Sequence, residues 1–92
     1  MTQEDFLNTG WKHHDIVKLT NGKEYVVQKH KKRYILLISV EYSAYFVADH
    51  NIVVGRTYES RHATYEEALE ADDLTPSHRA LIEEYQANKP KR

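Results

Sequence analysis

Between Asp15 and Val27 two apolar, β-branched runs flank Asn21-Gly22, a pair that tolerates the positive φ of tight hairpin turns. A two-residue loop would pair Val17 with Val26 and scatter charge over both faces. A three-residue loop, Thr20-Asn21-Gly22 with Gly22 left-handed, pairs Leu19 with Lys23 and Val17 with Tyr25. It collects Val17, Leu19, Tyr25 and Val27 on one face and sets Lys18 opposite Glu24 on the other, for any partner. A one-residue slip reverses every side chain, so the register that segregates polarity is the expected one.

His30-Lys-Lys-Arg33 reads as a polar turn. Tyr34 to Val40 follows, apolar on both faces through Ile38, as a central strand would be. An unbroken strand to Ala48 exceeds the usual length, so a break is expected around 41–44, with a short strand over 45–48. Asp49-His50-Asn51 is a turn and 52–58 the last strand, in which Gly55 predicts a bulge or bend. Thr64-Tyr-Glu-Glu67 has capping-box spacing, and Thr75-Pro76 places an N-cap before proline at the first helical position. Near the N-terminus, Thr2 with Asp5 and then Gly10 outline a short helix over 2–9, with Phe6, Leu7 and Trp11 for packing.

The expected fold is α+β. A bent antiparallel sheet of about five strands over 15–58, in the strand rhythm of an SH3-like partial barrel, is followed by helices over 64–72 and 76–87. The alternative is an open four-stranded sheet backed by helices. Residues 1–88 form one small domain and 89–92 a basic, flexible tail.

Composition narrows the function classes. A chain of 92 residues with 40% hydrophobic and 29% charged residues forms one modest core without a deep cleft. The formal charge is −1 but unevenly spread: 12–33 holds seven Lys/Arg against Asp15 and Glu24, and 64–84 seven Asp/Glu against Arg79. The absence of cysteine removes thiol chemistry. The acidic N-terminus lacks a secretory pattern and no apolar run spans a bilayer, so a soluble, cytoplasmic, non-membrane protein is expected.

Candidate chemistry is sparse. The six histidines match no metal-ligand spacing, and exposed or capped histidines are expected instead. Ser60 and His62 are near in sequence, but no nucleophile elbow or phosphate loop accompanies them. No enzyme activity, cofactor, metal or small-molecule substrate is therefore expected. Two binding readings remain. Tyr42, Tyr45 and Phe46 surround the expected strand break and form a candidate aromatic patch for a protein partner, or a sheet edge for self-association. Lys29, Lys31, Lys32 and Arg33, flanked by Tyr25 and Tyr34, form the alternative, a nucleic-acid surface. Both tyrosines are expected in the core, which weakens that alternative.

Overall fold

The computed structural model describes residues 1–39 and 44–87. Helix α1 (Gln3–Asn8) leads into five strands, β1 (Ile16–Leu19), β2 (Glu24–His30), β3 (Ile35–Ser39), β4 (Ala44–Ala48) and β5 (Val53–Tyr58), and then α2 (Tyr65–Glu70) and α3 (Pro76–Ala87). The class is α+β. The antiparallel sheet has the order β4-β3-β2-β1-β5 and is not closed into a barrel; among the described residues no further strand pairs with β4 or β5. Register shifts in the β1–β5 and β2–β3 pairs bend it, the first beside Gly55 as the sequence led one to expect.

The hairpin takes the three-residue loop. Val17 pairs with Tyr25 and Lys18 with Glu24. The Gly22 amide donates to the Leu19 carbonyl at 2.9 Å, and Gly22 sits at φ +83°. Asn21 Oδ1 accepts from the Lys23 amide at 2.9 Å, closing the turn a second time.

One core lies where the hairpin predicts it. Val17, Leu19 and Val27 pack with Ile35, Leu37, Ala48 and Val53, closed over by Phe6 and Trp11. Thr2 caps α1 by accepting from the Asp5 amide, which positions Phe6, and the Trp11 indole donates to the Phe6 carbonyl at 3.1 Å.

The opposite face differs from the expectation that it is polar and free. Ile16 and Val26 are buried there beneath α2 and α3, with Tyr65, Ala68, Leu74, Ile82 and Tyr85. Glu24 is engaged too: it accepts from the Thr57 hydroxyl at 2.5 Å, and His78 lies 3.0 Å away. Burial alone would raise the Glu24 carboxyl, but these hydrogen bonds and the neighbouring positive charges hold it below its ordinary value. Only the helices can bury this face, because the hairpin itself has no partner on that side. The expected break at 41–44 falls largely, and the basic tail wholly, outside the described residues.

Candidate functional site

β3 lies inside the sheet, between β2 and β4, yet only one of its faces is sealed. Ile35 and Leu37 enter the first core, while Leu36 on the other face is half-buried. The helices cover that second face over β1 and β2, and their border lies where Tyr45 of β4 comes near Tyr65 and Tyr85. Leu36 pairs with Val47 and Leu37 with Phe46, so the β4 side chains alternate between faces. Tyr45 and Val47 consequently lie on the uncovered face, 61% and 56% exposed. An open cleft of about 290 Å³ lies between Lys29, Leu36 and Tyr45.

Phe46 points the other way. It stacks on Tyr25 at 6.0 Å between ring centroids, at the margin of the first core, and remains 39% exposed. Tyr45 and Phe46 therefore do not form one patch, since neighbours on a strand face opposite sides. Val47 and Leu36 share the Tyr45 surface instead. The period-two alternation of the strand was the available signal for Val47; Leu36 was hidden by the assumption that β3 is covered on both faces. Tyr42 lies outside the described residues.

The β4 edge lacks the features that usually blunt sheet edges. Its sequence, Ala-Tyr-Phe-Val-Ala, contains no charge and no proline, and it pairs with β3 without a bulge. The β5 edge differs, being interrupted by register shifts and carrying Gly55 and Arg56.

Because Ile35 pairs with Ala48, the turn between β2 and β3 projects at the Ala48 end of β4. The Lys31 amide closes it on the Tyr34 carbonyl at 2.8 Å. Lys29, Lys31, Lys32 and Arg33 are all exposed, and no ion pair to any of them occurs among the described residues. The two flanking tyrosines separate, against the expectation that both are core. Tyr25 packs against the first core and accepts from Asn21 at 3.0 Å, whereas Tyr34 is 38% exposed beside the cations.

Two polar features went unrecognised in the sequence. Asp15 is fully buried and ties three segments together. It accepts from the Lys12 amide at 2.8 Å, the Ser60 amide at 2.7 Å and Arg56 Nη1 at 3.3 Å. Arg56 and Lys12 also meet Glu59. This network anchors the chain entering β1 to the chain leaving β5.

His14 contradicts the picture of exposed or capped histidines. It is buried at φ 74°, stacked on His13 at 3.9 Å and against Tyr65 at 4.1 Å. A turn, not an extended strand, brings the two imidazoles to one side: the Asp15 amide donates to the Lys12 carbonyl, placing His14 at the left-handed position. Among the described residues neither ring nitrogen has a hydrogen bond of good geometry, although the His62 backbone is near enough to favour the protonated ring. Burial, reinforced by His13, outweighs that and lowers the His14 pKa to about 4. His62 is near Ser60 only through its backbone, the Ser60 hydroxyl and the His62 carbonyl being 3.3 Å apart. Among the described residues no cluster of His, Asp or Glu could hold a metal ion, and no helix is long and apolar enough to cross a membrane.

Comparisons with protein-family models, with curated proteins and with solved structures found no match.

Proposed function

We propose that this protein is a non-enzymatic interaction module that receives a protein partner on β4, through its open edge and the face carrying Leu36, Tyr45 and Val47. One observation carries this reading: an uncharged, bulge-free edge strand exposes Tyr45 and Val47 where the helical layer ends. An exposed aromatic beside a β-branched residue supplies apolar contact, and the strand edge supplies unpaired backbone groups. The test is recovery of partners from native lysate on immobilised wild-type protein and on the Tyr45→Ser/Val47→Ser variant. Partners that withstand nuclease and are lost from the variant are the expected result; equal recovery by both proteins would remove β4 from the interface.

The second reading, nucleic-acid binding through Lys29, Lys31, Lys32 and Arg33, has the exposed Tyr34 as its supporting observation. It predicts bound material that nuclease removes and that falls away steeply with added salt. The β4 reading predicts a weaker salt response.

A further inference from the structure

The reading of β4 as an interaction edge leaves its occupant open, and the charge around the edge narrows it. We propose that the occupant is an extended segment of a partner protein that pairs antiparallel with β4 and carries acidic residues just before an alternating apolar run. This rests on the interaction reading above and adds the chemistry of the partner.

Charge sets the first part. The exposed cations of 29–33 lie at the Ala48 end, without ion pairs among the described residues. The nearest acid in sequence, Asp49, accepts from the Asn51 amide at 2.9 Å within its own turn. Asp49 keeps its negative charge there, but it stands alone against Lys29, Lys31, Lys32 and Arg33. An incoming strand therefore meets net positive charge at this end and no charge on β4 itself. Direction sets the second part. Every pairing in this sheet is antiparallel, and the antiparallel ladder is the slightly more stable one per residue. An antiparallel strand starts at the Ala48 end, so its acidic residues must precede its apolar ones. Alternate residues of the run then lie beside Tyr45 and Val47, where β-branched side chains make favourable cross-strand pairs.

Other occupants fit less well. The chain's own final segment, Asn88 to Arg92, holds two lysines and an arginine, and the cations of 29–33 would repel it. A second copy would pair β4 with β4, and a five-residue strand offers far less than the roughly 800 Å² per partner of a standard stable interface. A single strand needs less area, because main-chain hydrogen bonds provide much of its affinity.

The test uses the full chain and a fluorescein-labelled peptide, Asp-Glu-Glu-Val-Thr-Val-Thr-Val, followed by fluorescence anisotropy. Two companion peptides replace the acids with lysine or move them to the C-terminal end. The acid-first peptide is expected to bind about tenfold more tightly than either companion, the sum of a few rim charges. Changing Lys31, Lys32 and Arg33 together to alanine should weaken it about tenfold. Tyr45→Ser/Val47→Ser, which removes the side-chain contacts and spares the main-chain edge, should weaken it by at least about tenfold. Equal binding of the companions, or no binding of any peptide, overturns the proposal. So does a dimer in sedimentation velocity that Tyr45→Ser dissolves, or tighter binding of a labelled oligouridine through the same cations. If the peptides fail but lysate partners still depend on Tyr45 and Val47, the segment chemistry is wrong and the interaction reading survives. If that dependence is absent too, both fall.

Discussion

His14 shows how one residue couples local backbone to solution behaviour. The left-handed position of a turn favours glycine or asparagine, and histidine there accepts backbone strain. Its ring fills space against Tyr65 and stays neutral because burial disfavours the charged form. Unfolded, the same ring protonates near pH 6.5; folded, it resists until about pH 4. The unfolded state thus binds more protons within that window, so stability is full above it and declines as pH falls through it. The loss from this group at pH 5 is about 2 kcal/mol. Denaturant titrations at pH 7.5 and pH 5 should show it, and His14→Asn, which suits the left-handed backbone, should flatten the difference by about that amount. An unchanged pH slope in the variant would show that other groups dominate acid unfolding. Burial also raises the Tyr65 hydroxyl, helped by its contact with Tyr85, so Tyr65 remains a neutral donor to Gln28.

Among the elements, the first hairpin is the most locally determined. Gly22 holds φ +83°, and nothing lies within 4 Å of where a Cβ would sit. Gly22→Ala is therefore a conformational change without a clash, expected to cost about 1–2 kcal/mol. Urea unfolding measures this, and a cost near zero would mean that the loop rearranges freely. The edges are the less local case. β4 and β5 have similar lengths, but bulges and Arg56 protect one while the other is bare. Tyr45→Ser belongs at this scale: with most of its side chain exposed it should alter stability by less than about 0.5 kcal/mol while affecting binding.

For the whole molecule, the hairpin strands serve both cores. Val17 and Val27 face one, Ile16 and Val26 the other, so neither layer can open without exposing the shared strands. Unfolding should be a single transition despite the two layers. Tyr85 is buried at the centre of the helical layer, 4.9 Å from the Tyr65 ring. Tyr85→Ala should cost about 3–5 kcal/mol and lower the midpoint seen by far-ultraviolet and aromatic circular dichroism alike. Separated transitions at the two wavelengths would show that the helices detach on their own.

Much of this architecture was legible in the chain because its causes are local. Asn21-Gly22 and the polarity of its flanks determined the turn and the register. Thr2 and Thr64 marked the helix starts through contacts only three residues long. Alternation along 44–48 carried the signal that Tyr45 and Phe46 face apart, which grouping both in one aromatic patch overlooked. What lay over each face depended on residues far away in sequence. Only the tertiary structure decided that α2 and α3 bury Ile16 and Val26, engage Glu24 through His78 and end before Leu36 and Val47. It alone brought Ser60 and Arg56 to Asp15 and folded Tyr65 over His14. A strand's alternation shows which side chains share a side, but burial depends on what the rest of the chain brings there.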